Sequence, residues 1–209
     1  MATDREQKKT DRRAQILRAA AGVFAEKGYS NSTVDEIASA AGIAKGSVYN
    51  YFKSKQELFT ELFTEILKKD EDRADELISR KDITASEKLS RQMDEWAVRF
   101  SEFQKIGKLV LEFWMSAAGQ EEGPFVDTFN RMYLQWRKRL TGIFEQGEND
   151  EEFDLPFGPE NAATVMMAIF DGISIQRMLG VGRNLDDEYL SILKKAVFGS
   201  VTMGEKGSV

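Results

Sequence analysis

Carboxylates, lysines, tyrosines and serines are the side chains left to do chemistry in this 209-residue chain, because it contains no Cys and no His. Without thiolate or imidazole there can be no disulfide framework, no Cys/His zinc site and no Ser–His or Cys–His nucleophile–base pair. Carboxylate catalysis would fall to residues such as Glu95 and Glu112. The stretch Glu148–Asp154 gathers five carboxylates in seven residues and reads as a loop separating the seventh and eighth helices, with a metal site as the lesser alternative. No nucleophile–base constellation or glycine-rich phosphate loop accompanies either, which disfavours an enzyme. No metal and no cofactor is expected.

The denser grouping runs from Thr33 to Lys55. Hydroxyls, ammonium groups and amides are the groups that bind phosphate oxygens and read base edges. Thr33, at a helix N-terminus, can offer its hydroxyl and nearby amides to a phosphate. Lys45 is placed for a phosphate or a guanine edge. Gly46 and Ser47 permit close approach of a backbone, and Ser47 can also donate. Asn50 carries an amide that suits an adenine edge. Tyr49 and Tyr51 are open to contact or to packing, and Lys53 to a phosphate or to solvent.

Charge is distributed to match. The whole chain is acidic, with 29 Lys+Arg against 35 Asp+Glu and a net charge of -6. Residues 1–56, however, carry 10 basic and 6 acidic side chains, and residues 57–209 carry 19 and 29. A basic N-terminal territory precedes an acidic body, and only the first has the sign that a polyanion requires.

The elements that must position these groups are helical. The three prolines are Pro124, Pro156 and Pro159, apolar residues recur at helical spacing, and no stretch alternates with period two. A first helix from about Asp11 to Lys27 carries Ile16, Leu17, Ala20, Ala21 and Phe24 on one face, with Gly28 as its cap. A fourth begins near Ser54, a fifth carries Leu89 to Phe103, and a sixth covers Leu109–Met115. A seventh follows Pro124, an eighth starts near Pro159 and a ninth spans Asp187–Phe198. Capping boxes are predicted at Thr33/Glu36, Ser54/Glu57 and Thr84/Glu87.

Between the first and fourth helices, Thr33–Phe52 reads TVDEIASAAGIAKGSVYNYF. Val34, Ile37, Ala38 and Ala41 form the buried stripe of a short helix that stops at Gly42. Lys45–Phe52 then forms a second short helix, with Val48 and Phe52 in the core. Two short helices joined by a tight glycine-containing turn make a helix-turn-helix, whose second helix enters the major groove. The basic tail from Arg5 to Arg13 could reach a neighbouring groove.

This pattern, from Phe24–Tyr29 through Thr33–Phe52 to Lys53-Ser54-Lys55-Gln56-Glu57-Leu58-Phe59, resembles the TetR family of transcriptional regulators over about residues 10–60. Tyr49 resembles that family's phosphate-contacting tyrosine, and Lys55 its phosphate-contacting lysine. Many members read Tyr-Tyr-His-Phe where this chain has Tyr49-Asn50-Tyr51-Phe52, so Tyr51 stands in place of a common histidine. The resemblance implies an all-α fold. An N-terminal three-helix DNA-binding domain (1–55) precedes a larger ligand-binding and dimerisation bundle (56–202) and a flexible tail (203–209), with about nine helices in total.

By helix order, the resemblance implies an inducer pocket lined by Phe63, Trp96, Phe100, Trp114, Phe129, Tyr133, Met166, Phe170 and Gln176. Such a lining suits a lipophilic or aromatic compound. Glu112, on an otherwise apolar helix, needs an ion-pair partner or a ligand. It would favour a cationic ligand, whereas Arg177 would favour an anionic one. The resemblance further implies a homodimer through the last two helices and a double-stranded operator with two half-sites. The expected behaviour is a repressor released by a small-molecule inducer. A helical carrier for a lipophilic molecule, or a DNA-binding regulator without an inducer, would share parts of this composition. The polar N-terminus lacks an apolar signal segment, and the longest nearly apolar run, Ala162–Phe170, is half a membrane span, so a cytoplasmic protein is expected.

Overall fold

The computed structural model describes residues 4–117 and 123–201. Among them lie eight α-helices and no strand: α1 (Asp4–Asn31), α2 (Val34–Ala40), α3 (Lys45–Tyr49), α4 (Lys55–Ser79), α5 (Ala85–Ala117), α6 (Pro124–Asn149), α7 (Pro159–Met178) and α8 (Asp187–Val201). The side chains of some positions in α4, α5 and α6, Phe100, Glu112 and Trp114 included, lie outside those described. α1 is two helical segments merged across Gly28, whose backbone (φ 80°, ψ 167°) is accessible essentially to glycine alone. Counted that way, the described residues hold nine helical segments.

Two boundaries differ most from expectation. The stretches predicted as fifth and sixth helices form the single helix α5, since they contain no proline and one Gly costs only about 1 kcal/mol in a helix. The N-terminal tail is helical from Asp4, with Gln7 donating to Asp11 at 3.0 Å and Thr10 to the Glu6 carbonyl at 3.1 Å. Polar residues without Pro or Gly continue a nucleated helix at little cost.

The chain divides into two compact units: Met1–Lys68 with Lys105–Asn130, and Lys69–Gln104 with Arg131–Val209. In the first, Ile16, Leu17, Ala20 and Phe24 of α1 are buried, as are Ile37 and Ala38 of α2, Val48 of α3, Phe52, and Leu58 and Phe59 of α4. Phe24 meets Phe59 edge to face at 5.5 Å, and Tyr29 meets Phe59 likewise at 5.1 Å. Fully burying each large apolar side chain is worth about 1.5–3 kcal/mol, so this small head has a core of its own.

In the second unit Leu89 and Met93 of α5 pack with Leu140, Ile143 and Phe144 of α6, Met166 of α7 and Val197 of α8. Phe153 and Leu155, from the connection between α6 and α7, join the same core. The sequence reads that acidic connection chiefly as a separator of helices. Glu152 instead accepts from the Ala85 and Ser86 amides, both at 2.9 Å, and so caps α5 from a distance of 66 residues along the chain. Burial raises the Glu152 carboxyl, but hydrogen bonds from Ser86, Ala85 and Thr84 outweigh it and hold the group below its ordinary range. The Asp154 amide donates to the Val201 carbonyl at 2.7 Å, fastening the same connection to the end of α8.

Two of the three predicted capping boxes are only half formed. The Ser54 hydroxyl accepts from the Glu57 amide at 3.0 Å, but the Glu57 carboxylate accepts from the Lys53 amide. The Thr84 hydroxyl accepts from the Glu87 amide at 3.1 Å, while the Glu87 carboxylate pairs with Arg91. Lys88 is buried, and its ammonium donates to the Ile78 carbonyl at 2.8 Å and to Gln146 Oε1 at 2.9 Å. No helix among the described residues is long and apolar enough to cross a membrane. Among the same residues no group of three or more carboxylates is placed to hold a metal ion.

Candidate nucleic-acid interface

The segment that could meet a polyanion is assembled by caps and one left-handed glycine. Thr33 closes α2 with a complete capping box: its hydroxyl accepts from the Glu36 amide at 3.2 Å, and the Glu36 carboxylate accepts from the Thr33 amide at 2.9 Å. α2 ends at Ala40, and Gly42 (φ 66°) turns the chain in a conformation that a Cβ would strain. The Ile43 amide returns to the Ala38 carbonyl at 3.0 Å, and Gln15 of α1 donates to the Ala41 carbonyl at 2.7 Å. α3 starts at Lys45, after extended Ala44. It is helical through Tyr49, beyond which the Tyr51 and Phe52 amides both donate to the Val48 carbonyl, at 2.9 and 3.0 Å.

The burial pattern separates core from reading face. Val48 and Phe52 point inward, as their spacing predicts, whereas Val34 is only half-buried. Thr33, Lys45, Gly46, Tyr49, Asn50 and Lys53 are exposed, and Ser47, Tyr51 and Lys55 are half-buried. Tyr49 keeps 46 % of its surface open, a large exposure for an aromatic ring. A Cβ at Gly46 would meet no atom within 4 Å, so internal packing does not demand glycine there.

Three lysines of this region are engaged by the protein itself. Lys45 Nζ lies 2.7 Å from Asp35 Oδ2, and this hydrogen bond, with the carboxylate's charge, raises the lysine above its ordinary range. Lys27 Nζ lies 2.6 Å from Glu36 Oε1. Hydrogen bonds from Lys27 and from the Thr33 side chain and amide bring the Glu36 carboxyl down to about 2. Lys55 donates to the Tyr29 carbonyl at 2.7 Å and to the Ser32 carbonyl at 2.8 Å, with its ammonium 4.4 Å from the Tyr29 ring centroid. Burial lowers Lys55, against the opposing charge of Glu36. Two of its three N–H groups thus serve the end of α1.

Arg13 was grouped with the basic tail. Its guanidinium instead lies 4.6 Å from the Phe52 ring centroid, pairs with Glu61 and donates to the Tyr51 carbonyl at 3.3 Å. No local pattern announced this, because Glu61 is 48 residues away. Asp35 and Glu36 were likewise missed as charge partners, although their places in the first turn of α2 follow from its capping box.

The expected inducer-pocket residues with described side chains fall in both units. Phe63 and Phe129 belong to the first unit, the first buried and the second half-buried. In the second unit Trp96 stacks on Phe170, with ring centroids 4.4 Å apart and planes inclined by 14°. Met166 is in the core, Gln176 is exposed, and Arg177 donates to Asn184 Oδ1 at 2.6 Å. A separate groove of about 250 Å³ lies between α6 and α7, lined by Tyr133, Leu134, Arg137, Thr164, Met167, Ala168 and Asp171. Among the described residues of the expected lining, Tyr133 faces it. Burial raises both Tyr133 and Asp171, and the two share a hydrogen bond that raises the tyrosine further and tempers the rise of the aspartate.

This head, with its tight turn, buried Val48 and exposed α3, defines a helix-turn-helix DNA-binding regulator. Residues 16–62 match the family model described as bacterial regulatory proteins, tetR family, and residues 85–197 match that of the BetI-type transcriptional repressor, C-terminal. The chain belongs to the TetR family, whose members are DNA-binding transcriptional regulators, typically ligand-responsive, and not enzymes. It is 29 % identical over 160 residues to the HTH-type transcriptional regulator YhgD of Bacillus subtilis (strain 168), covering 77 % of this chain and 81 % of the relative. A TetR transcription regulator from Haloarcula marismortui ATCC 43049 shares the fold with a TM-score of 0.78 at 22 % identity, over 92 % of this chain and all of that one. The regulator FadR of Bacillus subtilis, solved in complex with stearoyl-CoA, aligns with a TM-score of 0.65 at 25 % identity, over 89 % of this chain and 95 % of FadR.

Proposed function

We propose that this TetR-family repressor binds a pseudo-palindromic operator as a homodimer and is released by a lipophilic or aromatic small molecule. The observation that carries the DNA-reading part is the division of α3: Val48 is buried while Lys45, Gly46 and Tyr49 of the same helix face outward. Lys45, Ser47, Tyr49 and Asn50 are the groups assigned to bases and phosphates, Gly46 allows the backbone close, and Thr33, Tyr51, Lys53 and Lys55 flank them. One such unit reads too few base pairs for specificity, and a two-fold partner supplies the second half-site.

The last two helices, α7 and α8, support the partner. Val165, Ile169, Ile175 and Leu179 of the α7 region and Ile192 of α8 are large apolar side chains left exposed. Exposed apolar surface gathered on two helices is what a self-complementary interface buries. For the inducer, the stacked Trp96–Phe170 pair and the stearoyl-CoA bound by FadR favour a lipophilic compound. The effector and DNA would then each weaken the other's binding.

The test is a gel-shift titration on a duplex enriched from a random pool by the wild-type protein. Lys45→Ala and Tyr49→Ala should each weaken binding about fivefold or more, with a steep loss of affinity as salt rises. Wild-type binding by both variants would overturn the site assignment. Native mass spectrometry of the purified chain tests the inducer: a retained apolar molecule whose addition releases DNA is the expected result.

A further inference from the structure

Lys45, the first cation of the reading face, does not wait unpaired. Asp35, in the first turn of α2, holds Lys45, the first residue of α3, at 2.7 Å, with 51 % of the lysine side chain and 62 % of the aspartate exposed. The contact bridges the two helices of the motif on their solvent side, and it occupies an ammonium assigned to DNA. Glu36, the next residue, holds Lys27 in the same way. Both carboxylates therefore sit on lysine ammonium groups that would otherwise be open to a phosphate oxygen.

We propose that Asp35 is an affinity-setting residue, an intramolecular competitor that DNA must displace from Lys45. The proposal rests on the reading that Lys45 contacts DNA. Because the pair is exposed it is weak and exchangeable, and a phosphate or a guanine edge can replace it. Displacement returns Asp35 to water at the edge of the duplex, so every binding event sets a new contact against a lost one. The same arithmetic applies on operator and on unrelated DNA. Asp35 thus lowers affinity in general and keeps the repressor releasable.

A buttress that merely oriented Lys45 would act in the opposite sense, since its removal would weaken binding. The sign of the effect therefore decides. Binding of wild type, Asp35→Asn, Lys45→Ala and the double variant is measured on the duplex enriched by the wild-type protein and on a shuffled duplex of equal composition. Asp35→Ser is a second variant that keeps a short polar group in the first turn, and thermal melts confirm that each protein is folded. Asp35→Asn and Asp35→Ser are expected to tighten binding about two- to fivefold. Most of that gain should vanish in the Lys45→Ala background.

Unchanged or weaker binding by the two Asp35 variants, with Lys45→Ala impaired, overturns the proposal while leaving the DNA role of Lys45 intact. A gain that persists undiminished in the Lys45→Ala background also overturns it, since general repulsion between Asp35 and phosphates would then be the cause. Wild-type binding by Lys45→Ala sinks the underlying contact and the proposal with it.

Discussion

The Lys55 ammonium stands over the Tyr29 ring, 4.4 Å from its centroid, and donates to the carbonyl of that same residue at 2.7 Å. One cation thereby satisfies the frayed end of α1 and lies on the face of the aromatic ring that packs edge-on against Phe59 at 5.1 Å. The first turn of α4 is anchored to the break after Gly28 by this contact rather than by the capping box alone.

Lys55→Met should therefore lower the stability of the free protein by about 1.5–3 kcal/mol, the worth of a hydrogen bond made by a charged group. Urea denaturation without DNA makes the measurement. A lysine that served only a phosphate would leave the denaturation midpoint unchanged.

The folded Glu36 carboxyl, near 2, lies below its ordinary value of 4.5, so its contribution is fully present above that ordinary value and is lost as pH falls toward about 2. Carboxyl NMR titration should follow Glu36 to that low midpoint, and Glu36→Gln should flatten this part of the acid limb in thermal melts.

The distant cap on α5 gives a third expectation. Glu152→Ala leaves the Ala85 and Ser86 amides without their acceptor and should cost about 1 kcal/mol, a fall in Tm of about 2–4 °C. Its carboxyl is held below the ordinary range, so the wild-type advantage over the variant should shrink as pH drops.

Gly147 allows a ring to lie against the backbone: a Cβ there would stand 2.0 Å from a Phe153 ring carbon. Gly147→Ala should destabilise by about 1–3 kcal/mol through overpacking. Adding Phe153→Leu should recover part of the Gly147→Ala loss in a double-mutant cycle, since the two changes share one contact.

Tyr133→Phe should push the Asp171 carboxyl higher. Burial already raises it, and the tyrosine hydroxyl is the donor that opposes burial. Carboxyl NMR titration of both proteins would show the displacement, and an unmoved Asp171 would mean the hydrogen bond does not form in solution.

The reading head was legible in the chain because its determinants are local. Thr33 and Glu36 sit three residues apart, Gly42 marks the turn, and Val48 and Phe52 fall one helical turn apart, as the structure places them. Glu57 and Glu87 show where local reasoning fails. Each has the capping-box spacing, yet one carboxylate goes to the Lys53 amide and the other to Arg91, because several acceptors and donors compete at the same range. Glu152 and Arg13 were illegible for another reason. Their partners lie 66 and 48 residues away, and no spacing rule reaches that far. For the expected pocket, helix order names faces but not which side chains converge: Trp96 meets Phe170, whereas Tyr133 lines a groove with Arg137 and Asp171, and Phe100 and Trp114 lie outside the described side chains.

A protease seeking a seam would not find one where the recognition motif stops. Leu58 and Phe59 complete the core around Phe24, and Glu61 supplies the counter-charge for the guanidinium that rests on Phe52. A fragment ended at residue 55 would take Phe59 away from the Phe24 and Tyr29 rings and leave the Arg13 guanidinium on Phe52 without Glu61. A folded head therefore needs the opening turns of α4, and a hybrid regulator made by exchanging heads calls for a splice no earlier than Glu61.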